Sequence, residues 1–328
     1  MRIAIVGLGI QGRKRMAVAG DDVVATVDPV SADARFRDLE QVPLAAYDAA
    51  CVCTPDRAKL PILRYLLTHG KHLLVEKPLI AQDPEEERAL QQLAELAHGA
   101  ASVCYTAYNH RFEPHLVRLK EILDGGLLGE LYLARGFYGN GTARDVRQSP
   151  WRDRDLGVLS DLGSHLLDLC LFLFGPPASE PVVWGYHCFE NAAADHVLFG
   201  FDGHPVLQLE ATLLSWRNSF AFDVYGERGS AHVQGLCKWG PSTLTMRTRV
   251  LPSGRPHEDT ATLEQPDPTW AAEYRHFKRL CETGGTNIDN DRWIDGILGQ
   301  MRRAVRVEAS TTTALESADR RLRGGVTP

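Results

Sequence analysis

Apolar residues follow two rhythms along this chain. Over the first hundred or so positions, short, mostly apolar runs (Ile3-Ala4-Ile5-Val6, Asp22-Val23-Val24-Ala25-Thr26-Val27, Ala49-Ala50-Cys51-Val52-Cys53, His72-Leu73-Leu74-Val75 and 101 to 107) alternate with stretches of helical spacing. A run apolar at every position predicts a strand buried on both faces, as in a parallel sheet. The intervening stretches predict helices over 12 to 19 and over 57 to 68, where Leu60, Leu63, Leu66 and Leu67 recur and His69-Gly70 end the run. Asp83-Pro84-Glu85-Glu86-Glu87 opens another helix, with a capping Asp, a first-turn Pro and acids at the positive end of the dipole. Strand and helix in alternation imply a doubly wound parallel sheet with right-handed crossovers.

From residue 131 the rhythm changes to strands: 131 to 138, 182 to 189, 196 to 201, 206 to 216, 220 to 225, 230 to 234 and 244 to 250, with turns at Asp202-Gly203 and Gly240-Pro241. These predict a mostly antiparallel open sheet, preceded by a helix over 111 to 123 and interrupted by an unusually apolar one over 157 to 174. Two late helices are expected near 268 to 283 and 291 to 310. The fold class is therefore α/β plus α+β. Its units are a doubly wound domain at 1–108, a second domain built on the open sheet at 109–290, and a C-terminal helix and tail at 291–328 that pack back on the first. An open sheet with an uncovered apolar face would need a partner subunit.

Composition narrows the classes. A chain of 328 residues, 44% hydrophobic and 24% charged, has the makeup of an ordinary globular protein of about two domains. A net charge of −6 gives no general attraction to nucleic acid or anionic membrane. No apolar run is long enough to span a bilayer, and the chain opens directly on its first strand, so a cytoplasmic location is expected. The seven cysteines are odd in number and scattered, and Cys51 and Cys53 point to opposite faces of one strand, so they are expected to be reduced core thiols. No metal is expected, because no His-x-x-x-His or Cys-x-x-Cys pair is present.

The chemistry is concentrated at strand ends. The first run breaks into Gly7-x-Gly9-x-x-Gly12, whose glycines serve a tight turn, close approach of a pyrophosphate and helix packing, with Ile10 and Gln11 opening a helix whose N–H groups face the phosphates. Asp28 ends the second run, where a carboxylate accepts ribose hydroxyls. That carboxylate would repel the 2′-phosphate of NADP. Pro29-Val30-Ser31-Ala32 brings no cation to offset it, although Arg13, Lys14, Arg35 and Arg37 stand near, so NAD is preferred and NADP possible. Thr54-Pro55 and Glu76-Lys77-Pro78 end the third and fourth runs, at the side of such sheets where ligands bind. On the apolar helix, Asp161 and His165 fall one turn apart on one face with Asp168 nearby, a polar stripe that is costly to bury unless paired or functional.

Gly7-x-Gly9-x-x-Gly12, Thr54-Pro55, Gly70-Lys71-His72, Glu76-Lys77-Pro78, Asn109-x-Arg111-Phe112-x-Pro114, Gly129-Glu130, Gly157-x-x-x-Asp161-x-Gly163-x-His165-x-x-Asp168 and Tyr225-Gly226-Glu227-Arg228-Gly229-Ser230 together resemble the Gfo/Idh/MocA family. The chain departs from that family at Lys59, where a histidine is frequent, and at Val158, where a second glycine is frequent. The resemblance implies a nicotinamide-dependent oxidoreductase acting on the CH–OH groups of sugars, cyclitols and related polyols. It also implies a catalytic group of Lys77, Asp161 and His165, and homodimers or homotetramers formed through the outer face of the C-terminal sheet. Cofactor contacts would come from Gly7, Gly9, Ile10, Gln11, Gly12, Asp28, Thr54, Pro55, Glu76 and Lys77. The substrate would be gripped by Lys77, Asn109, Arg111, Trp151, Arg152, Asp161 and His165.

Hydride removal from a carbinol requires a base at the hydroxyl. His165, with a side-chain type that titrates near neutrality, fits that role while Lys77, kept positive by Glu76 or Asp161, steadies the developing alkoxide. The roles exchange if burial depresses the lysine. Arg144, Arg147, Arg152 and Arg154 exceed what a neutral sugar needs, so a phosphorylated, acidic or nucleotide-linked sugar stands beside the reading of a solvated loop. Two other functions remain open: glycoside cleavage through transient oxidation, and a nicotinamide sensor without turnover.

Overall fold

The computed structural model describes residues 1–149 and 152–323, with side chains as far as Val305. The chain opens with β1 (Ile3–Val6), α1 (Ile10–Ala19), β2 (Val23–Val27), β3 (Ala49–Val52), α2 (Asp56–Thr68), β4 (His72–Glu76), α3 (Pro84–Gly99) and β5 (Cys104–Ala107). The five strands form one parallel sheet in the order β2-β1-β3-β4-β5. Their unbroken apolar character has a direct cause. Ala4, Val6, Val52, Leu73 and Val75 point to the side covered by Leu63 and Leu66 of α2 and Leu90 and Leu93 of α3. Ile3, Ile5, Cys51 and Leu74, at alternate positions, point to the other side.

That other side is closed by a late element. After α4 (Pro114–Asp124), β6 (Leu131–Gly139), α5 (Ala143–Arg147), α6 (Ser164–Phe174), β7 (Pro181–His187), β8 (His196–Phe201), β9 (Val206–Thr212), β10 (Ser219–Gly226), β11 (Gly229–Gln234), β12 (Ser242–Val250) and β13 (Gly254–Leu263), the chain returns as α7 (Thr269–Thr283) and α8 (Ile288–Arg323). Tyr274 and Phe277 of α7 belong to the core of the first sheet, so α7, although within 109–290 in sequence, packs back on the first unit. The last helix straddles both units: Ile288 sits in the first core, while Ile294, Ile297, Leu298 and Met301 sit in the second.

The second sheet has eight strands in the order β13-β12-β11-β10-β6-β9-β8-β7, antiparallel except for the β6·β9 pair. Its inner face (Phe199, Leu209, Phe220, Phe222, Val224) packs on Leu166, Leu167, Leu169 and Leu173 of α6 and on Leu116 and Leu119 of α4. The outer face is mixed: Leu133, Phe137, Leu198 and Tyr225 share it with Arg135, bonded to Gln208 at 3.1 Å, and His232, bonded to Asp223 at 2.8 Å, and Trp184 stands exposed over Gly200. Strand β13 was absent from the sequence pattern because it is a mostly exposed edge strand containing Pro256, and an edge with no buried side leaves no period-two apolar signal. All seven cysteines are free. Among the described residues, no helix is long and apolar enough to cross a membrane.

Candidate active site

The glycine turn shows three distinct constraints. Gly7 has φ +92, and a Cβ there would meet the Cys53 carbonyl oxygen at 2.7 Å. A Cβ on Gly12 would lie 1.8 Å from the Gly7 oxygen, so α1 can pack here only as glycine. Gly9 faces no protein atom within 4 Å, and the space over it is open to a ligand at the head of α1. Exposed apolar side chains flank that space, Ile10 at 78% and Val30 at 87%, and Thr54 Oγ1 is buried without a partner. These features fit a dinucleotide. Asp28 differs in detail from the expected ribose clamp. Its Oδ2 accepts the Leu8 N–H at 2.7 Å and its Oδ1 accepts those of Val30 and Ser31 at 2.9 and 2.7 Å, which leaves little capacity for two hydroxyls. The same bonds, Leu8 first, hold the carboxyl below its ordinary range, so the charge stays.

At the end of β4, Lys77 reaches 84 residues along the chain to Asp161, donating to Oδ1 at 2.6 Å and to the backbone oxygen at 3.1 Å. Arg152 approaches Asp161 Oδ2 at 3.3 Å. Burial pushes the Asp161 carboxyl up, but Lys77 and Arg152 outweigh it and leave the carboxyl below its usual value. Asp161 lies in a wider π-type turn over Leu159–Gly163 that runs into α6. Such a turn alters the regular one-turn stacking of Asp161 over His165 expected from spacing. Asp161 serves Lys77, while His165 stacks on His110, with ring centroids 4.2 Å apart, and meets Tyr108 and Tyr138 edge-on.

His110, Tyr138 and Lys238 were missed in the sequence. Lys238 Nζ lies 3.4 Å from His110 Nε2 and donates to the Tyr138 hydroxyl at 3.3 Å. His110 falls between Asn109 and Arg111, where no spacing pattern marks it. Burial first, then the positive charges of Lys77 and Lys238, push both histidines well below their ordinary range, with each other's proximity adding to the shift at His165. His165 is therefore neutral, the form a proton acceptor needs, while the same burial and cations weaken it as a base, and its Nδ1 is buried without a partner.

Other expected site residues are placed elsewhere. Glu76 pairs with Arg15 at 2.5 Å and not with Lys77, and Arg15 also reaches Glu273 at 2.7 Å. Arg111 forms a two-armed pair with Asp168, at 2.7 and 2.6 Å, which turns Asp168 away from the Asp161–His165 stripe. Asn109 donates to Thr269 Oγ1 at 2.7 Å. Both side chains tie the 109–112 turn to helices. Arg154 bonds Gln82 at 3.1 Å, and Trp151 lies outside the described residues. Lys59, at the position where the family often has histidine, is buried and donates to the Pro78 carbonyl at 2.7 Å, bracing the turn that carries Lys77.

The depressed histidines set a pH dependence. An unfolded histidine protonates near 6.5 while buried His110 does not, so stability is lost as pH falls below about 6.5. Glu273, raised to about 7 by burial, and Asp291, also raised, act oppositely in that window, so the histidine effect is read as a difference. The penalty of His110→Asn, from urea unfolding, should shrink by about 1 kcal/mol between pH 7 and 5.5. Parallel stability curves for the two proteins would contradict this.

Comparison with known proteins places the chain. The family model described as "Oxidoreductase family, NAD-binding Rossmann fold" matches residues 1–105, and that of the GFO/IDH/MocA C-terminal domain matches 116–232. Inositol 2-dehydrogenase of Rhizobium meliloti is 28% identical over 198 residues, 56% of this chain and 56% of that protein. D-glucoside 3-dehydrogenase of Escherichia coli is 30% identical over 153 residues, 44% of this chain and 40% of that one. The chain thus matches about half or less of the length of these curated relatives. A solved levoglucosan dehydrogenase in complex with NADH superposes with a TM-score of 0.77 at 19% identity, over 93% of this chain and 97% of that one.

Proposed function

From a chain that belongs to the Gfo/Idh/MocA family of oxidoreductases, with an NAD-binding Rossmann domain, we infer an enzyme that transfers a hydride between a nicotinamide cofactor and a CH–OH carbon of a sugar, cyclitol or related polyol. The observation that carries this reading is the Lys77–Asp161 pair beside neutral, buried His165, beyond the carboxyl end of β4. Relatives named as inositol and glucoside dehydrogenases support the substrate class. Bound over the glycine turn, the nicotinamide would supply the hydride acceptor. Lys77 then donates a hydrogen bond to the reacting oxygen and steadies its negative charge, Asp161 fixes the ammonium, and His165 takes the hydroxyl proton. Following nicotinamide absorbance while sugars, cyclitols, sugar acids and nucleotide sugars are offered tests the reading, and no reduction with any of them counts against it. We assign subunit pairing to the outer face of the second sheet, where Leu133, Phe137, Leu198 and exposed Trp184 stand beside the Arg135–Gln208 and His232–Asp223 pairs.

NAD is the proposed cofactor. The Asp28 carboxylate stands charged beside the glycine turn, where a 2′-phosphate would meet like charge. Arg37 does fold back, but it donates to the Ser31 carbonyl at 2.7 Å. NADH should bind at least about tenfold more tightly than NADPH, equivalent to about 1.4 kcal/mol. Fluorescence titration of each cofactor checks this, and tighter NADPH binding would overturn it.

A further inference from the structure

Lys238 sits on the 3-10 turn Cys237–Trp239 that follows β11, next to the reaction centre yet with no part in the proton transfer described above. Its ammonium lies 4.4 Å from the Trp239 ring centroid and, among the described residues, hydrogen-bonds only neutral groups, His110 Nε2 at 3.4 Å and the Tyr138 hydroxyl at 3.3 Å. Among the described residues it has no ion-pair partner. The two acids in its vicinity are committed: Asp267 accepts from the backbone and hydroxyl of Thr269, and Glu113 accepts the Cys237 N–H at 3.1 Å. The centre is also short of negative charge. Asp161 is the single carboxylate that receives both Lys77 and Arg152, and Lys238 adds a third cation.

A cation kept largely from water without a counter-ion is costly, and an arriving anion relieves that cost. Burial in the first place, with Lys77 and Lys14 adding to it, draws the ammonium down to about 8, while Asp267 and Glu113 oppose the shift.

We propose that Lys238 is a specificity residue that seats an anionic group of the substrate, a carboxylate or a phosphate, beside His165. This rests on the dehydrogenase reading and narrows its substrates to acidic polyols. The measured quantity is the ratio of kcat/KM for an acid to kcat/KM for its neutral parent, with D-glucuronate and D-glucose 6-phosphate set against D-glucose. The ratio should favour one of the two acids in the wild type, and which one tells carboxylate from phosphate. Lys238→Gln keeps polar contacts to His110 and Tyr138 without the charge, and Lys238→Met removes both. Each should lower that ratio at least about tenfold, the usual scale for a charge-assisted hydrogen bond. A wild type that prefers glucose, or a ratio unchanged in both variants, overturns the proposal. So does a shift in NADH Kd at constant ratio, which would give Lys238 to the cofactor. If no sugar of the panel is oxidised, the dehydrogenase reading fails for this panel separately. Calorimetric titration of glucuronate and glucose 6-phosphate into the NAD-loaded protein then decides: binding lost in Lys238→Gln supports the anion seat, and no binding to the wild type overturns it.

Discussion

Lys77→Met should lower turnover by about a hundredfold or more while leaving the Kd for NADH within about threefold of the wild type. The methionine keeps most of the stem volume and removes the ammonium that Asp161 holds from two sides, through its carboxylate and its backbone oxygen. Binding over the glycine turn depends on Gly9, α1 and Asp28 and does not require that ammonium. Asp161 retains Arg152, so the fold is expected to survive, and the circular dichroism melt should confirm it. Lys77→Arg keeps the charge but not the point geometry, and should recover little of the lost rate. Wild-type turnover in Lys77→Met would remove Lys77 from the mechanism.

The parts of this site that the sequence makes legible are local. The glycine triplet, the Glu76-Lys77-Pro78 strand end and the Asp161/His165 spacing each occupy a few consecutive residues, and the structure brings Lys77 to Asp161. His110, Tyr138 and Lys238 were invisible because their chemistry arises only on folding: Lys238 meets His110 across 128 positions and Tyr138 across 100. Glu76 was readable as charged but not as the partner of Arg15, since α1 and β4 become neighbours only through the parallel sheet. The same limit hid β13, whose side chains face mostly water. Asp168 lies on a helix too apolar to bury a lone carboxylate, so it required a cation from elsewhere.

That cation is Arg111, and the pairing leads to a stability effect where the sequence suggested a substrate contact. Arg111 and Asp168 have side-chain exposures of 19% and 1%, and the guanidinium also lies 5.6 Å from the Phe172 ring centroid. Arg111→Met leaves Asp168 buried without its counter-ion, a loss of about 3–5 kcal/mol. In a chain of this size that lowers Tm by on the order of 10 °C. Burial already pushes the Asp168 carboxyl above its usual range against the pull of Arg111, so the variant should keep that carboxyl protonated to higher pH. Arg111→Met/Asp168→Leu removes both charges and should recover most of the loss, because a well-packed apolar pair replaces a buried ion pair at little cost. If Arg111 instead gripped substrate, Arg111→Met would raise KM with Tm unchanged, and the double variant would rescue nothing.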